Sequence, residues 1–312
     1  MELIWLEDYL ELCRTGNFSR AAEARNLTQP AFSRRIRALE EWAGVTLFDR
    51  AAQPVQLTAA GREFQPLAAM LIRRIADARA HVREVAGAEA ATIRIAATHA
   101  LSLIFFPGWL KRLEAKGLIC CVQLVSDTLN AVETLLLDGR AHFVLCHVHE
   151  DVPLRLPPAE FSSIPVAHDR LIACAAPGLK ASGVASLTEA PLLAYGGGSG
   201  LGRILRGVIG ARLPALLAAP ALTADLAGSL RALCLDGRGV AWLPATLVED
   251  DLKSGRLVMF ADASWEVPVT VRLFRPQMRL TPTAEEMWRL AQQFGGWAPA
   301  RGGGPPQGLV DD

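Results

Sequence analysis

Residues 27–41 read LTQPAFSRRIRALEE. Thr28 can cap a helix here, because Pro30 then falls in its first turn, where a missing N–H costs nothing. At 100° per residue Phe32, Ile36 and Leu39 lie within about 60° of one another, while Pro30, Ser33, Arg34 and Arg37 gather on the far side. One face packs and the other stays free. An arginine-rich helix ordinarily just faces water, so its surroundings must decide. A helix carrying Ile4, Leu6, Leu10 and Leu12 is expected near residues 3–14, and a second from about Ser19 through Arg25, with Ser19 as its cap and Phe18 just outside. Asn26 and Leu27 are then left as a tight turn. This is helix, short turn, helix. The second helix of such a pair lays its first turn on base edges in the DNA major groove, with arginines to hold phosphates. Thr28, Gln29, Pro30, Ala31, Ser33 and Arg34 suit that role, Arg35 and Arg37 add charge, and Ser19 stands beside them.

Downstream, residues 44–50 (GVTLFDR) and 55–57 (VQL) read as two short strands around AAQP, a wing that would carry Arg50 to the DNA backbone. Thr58 then caps a helix running to about Ala86, roughly 42 Å at 1.5 Å per residue. Along it Phe64, Leu67, Leu71, Ile75 (or Arg74), Ala78, Val82 and Val85 recur at intervals of three and four, a heptad seam. Two chains are expected to join there and so present two reading helices to a two-fold-related, pseudo-palindromic site on double-stranded DNA.

Bulk properties constrain the remainder. A chain of 312 residues exceeds what one core usually serves. With 51% apolar and 21% charged residues it has globular composition, and no run long enough for a membrane span is visible. Lys plus Arg equals Asp plus Glu at 32 each, so bulk charge names no partner. Residues 1–66 hold eight arginines and no lysine against nine acids, a net of −1, so positive charge is local to the LTQPAFSRRIRALEE helix. The opening MELIWLEDYLELCR carries acids where a signal peptide needs a basic start, and a cytoplasmic location is expected. Cys13, Cys120, Cys121, Cys146, Cys174 and Cys234 show no CxxC spacing and are expected as free thiols.

The segments FSRAAEARNLTQPAFSRRIRALEEWAGVTLFDR (18–50) and LTAAGREF (57–64) closely resemble the N-terminal region of LysR-type transcriptional regulators. QPAFSRRIRALE, IAATHALSL and LDGRGVAWLP are most similar to the hypochlorite-responsive branch of that family. The resemblance implies α/β architecture overall: a winged helix-turn-helix (1–58), a long dimerising linker helix (59–87) and a two-lobed Rossmann-like effector domain of the periplasmic-binding-protein type II kind (88–295). Its lobe I would comprise 88–162 and 268–295, its lobe II 163–267, and the assembly would be a homotetramer. Leu113, Leu201 and Leu226 stand where that branch's sensing methionines align, which puts methionine oxidation in doubt as the signal. The Gly- and Pro-rich residues 296–312 are expected to be disordered.

After Gly87 strand-like runs alternate with helices: 92–98, 119–125 and 142–148, then 171–177, 191–195 and 239–244, with helices near 200–209 and 225–236. This pattern predicts a mostly parallel sheet. Ligands in such folds bind where strands hand over to helices, which marks Thr98, His99, Ser102, Asp127, Thr128 and His147 in one lobe, and Tyr195, Ser199 and Asp225 in the other. Hydroxyls and helix starts there suit a small anion. The run GGGSGLG (196–202) matches neither GxGxxG, a P-loop nor GxSxG; it reads equally as an anion cradle or a plain turn. His99 and His147 read either as sensors or as hydrogen-bonded filler. No catalytic triad order, paired carboxylates or metal-spaced cluster is visible, and no cofactor or metal is implied. The expected function is a DNA-binding regulator gated by a small effector or an oxidant, the latter implying oxidative stress. The competing reading is a cytosolic α/β enzyme or solute-binding module whose first helices only mediate assembly.

Overall fold

The computed structural model describes residues 1–52, 54–86, 92–181, 186–212 and 219–293. The expected linker end at 87, the start of the second domain at 88–91 and the tail 296–312 lie outside the described residues. Two compact units are formed: Met1–Glu89 with Leu137–Arg140, and Ala90–Leu136 with Ala141–Asp312. No described helix is long and apolar enough to cross a membrane.

The first unit contains α1 (Leu3–Thr15), α2 (Phe18–Ala24), α3 (Gln29–Ala43), a hairpin of β1 (Phe48–Asp49) and β2 (Gln56–Leu57), and α4 (Ala59–Val85). Phe32, Ile36 and Leu39 are fully buried, as their spacing predicts, against Leu6, Tyr9 and Leu12 of α1. Asn26 adopts a left-handed φ of 54° in the turn before α3, a conformation Asn tolerates better than most residues. Two caps differ from expectation. Asn17, not Ser19, caps α2, its side chain accepting from the amides of Ser19 and Arg20 at 2.9 and 3.1 Å; the helix begins at Phe18, so Ser19 lies inside its first turn and its amide is one of the donors capped. Thr28 occupies the cap position of α3 but makes no side-chain cap bond. Thr58 does cap α4, accepting from the Gly61 amide at 3.0 Å.

The wing is shorter than the sequence suggests, because the Leu47 and Phe48 amides donate to the Glu40 carboxylate at 2.9 and 3.2 Å. Pairing therefore starts only at Phe48, opposite Leu57. The start of α4 presses on the same segment: a Cβ at Gly61 would lie 2.1 Å from the Leu47 carbonyl oxygen, and Tyr9 donates to the Gly61 carbonyl at 2.6 Å. Gly61→Ala is therefore expected to destabilise the unit by about 1–3 kcal/mol through overpacking, read as a lowered thermal midpoint. An unchanged midpoint would mean that α4 can draw back from the wing.

The second unit is built on β3 (Thr92–Thr98), β4 (Cys121–Asp127), β5 (Phe143–Val148), β6 (Phe161–Ala175), β7 (Leu193–Tyr195), β8 (Leu222–Ala224), β9 (Ala241–Pro244), β10 (Val258–Met259) and β11 (Val267–Pro276). Its helices are α5 (His99–Ile104), α6 (Phe106–Ala115), α7 (Leu129–Leu137), α8 (Pro177–Ala181), α9 (Gly200–Ile209), α10 (Ala227–Leu235), α11 (Ala245–Lys253) and α12 (Pro282–Gln292). The expectation of a mostly parallel sheet is corrected. β3 pairs in parallel with β4 and β5, and β7 with β8, but β11 runs antiparallel to β5 and β6, and β9 and β10 run antiparallel to β6. The long β6 begins ten residues before the strand read at 171, since polar alternation in FSSIPVAHDR hides it. β5, flanked on both sides, is buried at five consecutive positions, whereas the edge strand β4 alternates.

Two apolar cores fill this unit. One holds Ile95, Trp109, Phe143, Leu273 and Met287, the other Ile172, Leu201, Leu230, Trp242 and Val248. β6 and β11 serve both: Val166, Ala167 and Val271 belong to the first core, Leu171 and Val267 to the second. β5 stops pairing with β11 at Thr270 and β9 starts pairing with β6 at Leu171, so Asp169 and Arg170 face Val269 and Pro268 as a bare two-stranded waist.

Candidate nucleic-acid interface and effector cleft

In the first unit the free face of α3 shows Thr28, Gln29, Pro30, Arg34 and Arg37 to solvent, with Ala31 and Ser33 half-buried. Neither Arg34 nor Arg37 has an acidic partner among the described residues. Arg35 and Arg50, expected to face DNA as well, are held by acids of their own unit. Arg35 pairs with Asp8 at 3.2 Å, and the fully buried Asp8 also takes Arg25 at 2.8 Å. Arg50 pairs with Glu40 at 2.6 Å and lies over the Phe18 ring, 5.5 Å from its centroid. Ser19 is exposed at the first turn of α2 beside Arg20, a cation that the sequence reading missed and that its position in that turn would have flagged. Glu40 was missed too. An acid on α3 gives no local sign that it will staple the wing.

Along α4, Phe64 and Leu71 are half-buried on the first unit's own core. Leu67, Ile75, Ala78 and Val82 are exposed, Ile75 at 47% and Val82 at 65%. These four fall within about 80° of arc at 100° per residue, so an apolar strip runs along the helix uncovered in the single chain. The side chain of Val85 lies outside the described residues.

In the second unit a cleft of about 400 Å³, including its open mouth, is lined by Thr98, His99, Ala100, Asp127, Thr128, Leu129, His147, Ser199, Gly200, Leu201, Asp225 and Ala227. It gathers residues from both lobes at the starts of α5, α7, α9 and α10. Ser102 is not among them: its hydroxyl donates to the His99 carbonyl at 2.9 Å and meets Ser126 Oγ at 2.7 Å, while His99 Nδ1 meets the same Oγ at 3.0 Å. Tyr195 is not among them either. As the last residue of β7 it turns inward to the second core, where burial pushes its phenol up, so it stays protonated. The period-two pattern of a three-residue strand was too short to fix which way it faces.

The glycine run answers to neither expected reading alone. Ser199 caps α9 by accepting from the Gly202 amide at 3.4 Å. A Cβ at Gly196 would come 2.1 Å from Asp225 Oδ1, and one at Gly200 would come 2.9 Å from the Leu129 side chain. Close approach of α9 to α7 requires Gly200, and that of the β7 end to Asp225 requires Gly196. Behind the contact, the Arg203 guanidinium of α9 donates to the Asn130 side chain and lies 3.5 Å from the fully buried Glu133, both on α7.

Two polar atoms of the cleft residues are buried without a partner, Thr98 Oγ1 and His147 Nε2. Burial lowers the His147 pKa, with the charge of Asp169 opposing, so its imidazole is neutral near pH 7. The cleft carries two carboxylates and, among its described residues, no lysine or arginine.

Residues 3–62 match the family described as "Bacterial regulatory helix-turn-helix protein, lysR family", and residues 86–295 match "LysR substrate binding domain". The chain is 32% identical over 291 residues to the HTH-type transcriptional regulator YjiE of Escherichia coli (strain K12), covering 93% of each. Among solved structures it is similar to full-length HypT from Salmonella typhimurium, a hypochlorite-specific LysR-type regulator, at 29% identity and a TM-score of 0.56, over 95% of this chain and 99% of that one. It is also similar to Vibrio fischeri DarR in complex with DNA, at 28% identity and a TM-score of 0.54, over 94% of this chain and 99% of that one.

Proposed function

The chain belongs to the LysR family of DNA-binding transcriptional regulators, and from that premise we propose that α3 reads a pseudo-palindromic promoter site, that α4 joins two protomers, and that a small molecule in the cleft gates the response. Residues 1–58 are the DNA-binding part, 59–87 the linker and 88–295 the sensing part.

The DNA reading rests on the free face of α3, where exposed Arg34 and Arg37 flank small polar residues. A rigid helix presenting two unpaired guanidinium groups suits a groove bounded by phosphates, with Thr28, Gln29, Ala31 and Ser33 as candidates for base edges and Ser19 and Arg20 for the backbone. Arg35 and Arg50 position the reading helix and wing from within. Arg34→Ala is expected to weaken binding to the DNA upstream of the protein's own gene by about 1–3 kcal/mol, measured by mobility shift at physiological salt. Equal affinity would remove α3 as the reader.

Gating by a small molecule is supported by the unpartnered Thr98 and His147 atoms, since buried polar groups ordinarily find a partner and a ligand can supply one. Similarity to the hypochlorite-specific regulator supports kinship with that branch, but four of the six cysteines are poor oxidant sensors, with Cys121 and Met259 among the exposed sulfur groups of the described residues. Burial pushes Cys13 up to about 11 and Cys174 and Cys234 up to about 12, and raises Cys146 too, so these remain thiols, whereas oxidation proceeds through the thiolate. Met287 is fully buried, and Leu201 lines the cleft.

A further inference from the structure

Asp127 and Asp225 approach the cleft from opposite walls. Asp127 ends β4 in the first lobe, and Asp225 follows β8 in the second. Asp127 Oδ1 accepts from the Thr128 amide at 2.7 Å, which leaves Oδ2 for a ligand. Two carboxylates lining one cleft disfavour a simple anion, and no lysine or arginine among the described lining residues offsets them. A cation between them would. The same space is bounded by the first turns of α7 and α9, whose leading amides at Leu129 and Gly200 have no acceptor within their own helices and favour negative charge. Thr98, Thr128 and Ser199 add hydroxyls. His147, nine-tenths buried, brings a neutral ring nitrogen that lacks a partner. Positive and negative recognition thus sit side by side, with Ala100, Leu129, Leu201 and Ala227 as a short apolar wall.

Building on the reading of this cleft as the effector site, we infer that its ligand is a small zwitterion of the α-amino acid class, its ammonium held by Asp127 and Asp225 and its carboxylate by the helix starts and hydroxyls. This replaces the small anion that hydroxyls and helix termini alone suggest. Such a ligand touches both lobes and so binds their closed arrangement better than an open one, which is what a gating ligand requires.

The full-length protein is titrated calorimetrically with each of the twenty common L-amino acids, with the matching 2-oxo acids that lack the ammonium, and with the matching amines that lack the carboxylate. At least one amino acid is expected to bind, and its oxo acid and amine to bind about tenfold or more weakly, because each loses one charge-assisted set of hydrogen bonds. Asp225→Asn and Asp127→Asn, near-isosteric changes, are each expected to weaken that amino acid by about tenfold while the thermal midpoint without ligand stays put. Thr98→Val weakens it as well. Oxo acids that bind as well as or better than amino acids, with Thr98→Val still weakening them, would keep the cleft and overturn the zwitterion. Amino-acid binding indifferent to all three substitutions would overturn the site. No binding by any amino acid, in protein that still shifts its upstream DNA, would overturn the ligand class and leave the regulator reading standing.

Discussion

Ile75→Glu is expected to turn the proposed α4 dimer into monomers while leaving each first unit folded. Ile75 lies on α4 beyond the stretch that packs against α1, and nearly half of it is exposed in the single chain. A second copy of the strip would cover it. Two-fold symmetry brings the substitution in twice, and an unpaired buried charge costs about 3 kcal/mol, so the pair costs about 6 kcal/mol, or about 10⁴-fold in the dissociation constant. Sedimentation velocity reads the change directly, and paired half-sites on DNA should lose cooperative occupancy with it. Leu71, though on the same heptad, is the wrong residue to probe: it is half-buried on its own unit's core, so a charge there would unfold and dissociate together. A dimer of unaltered strength in Ile75→Glu would place the subunit contact elsewhere.

The second large effect is expected at Asp8. One fully buried carboxylate there ties three helices, since it belongs to α1, receives Arg25 from the end of α2 and receives Arg35 from α3. Asp8→Asn preserves shape and removes the charge. Breaking a buried ion pair costs about 3 kcal/mol, towards the lower end of the range for such pairs because both guanidinium groups keep about a third of their surface in water. For a unit of this size that lowers the melting temperature by about 15 °C. Glu11→Gln breaks the surface Glu11–Arg14 pair and serves as the contrast, with little change in melting temperature expected. Comparable small shifts in both variants would show that Asp8 is not the tie it looks to be.

Much of the reading head was legible because it depends on helical period. Phe32, Ile36 and Leu39 had to share a side, and LTQP had to begin a helix. Less visible were features decided by contacts distant in sequence. Nothing near Arg35 announces Asp8, 27 residues earlier, and nothing near Arg50 announces Glu40, so two cations read as free proved to be held. In the second unit the strand-to-helix junctions were readable, which is why Thr98, His99, Asp127, Thr128, His147, Ser199 and Asp225 do meet in one cleft. Ser102 and Tyr195 failed for local reasons: one hydroxyl found its own helix's carbonyl, and one ring turned inward from a strand of three residues. The charge balance of the cleft became visible only once opposite walls were brought together, since Asp127 and Asp225 lie nearly a hundred positions apart.

The waist at Asp169–Arg170 and Pro268–Val269 also limits how this unit can move. Both strands run unbroken from one core to the other, and Pro268 supplies no N–H there, so the lobes are coupled through a ribbon rather than a swivel. Two-stranded ribbons accept a change of twist readily, and the register shift between Val271 and Arg272 next to the waist is the kind of irregularity that increases local twist. A molecule drawing the walls of the cleft together would wind this ribbon as a torsion bar. The output of binding would then be a small rotation of one lobe about the strand axis, with the restoring torque stored in the sheet itself.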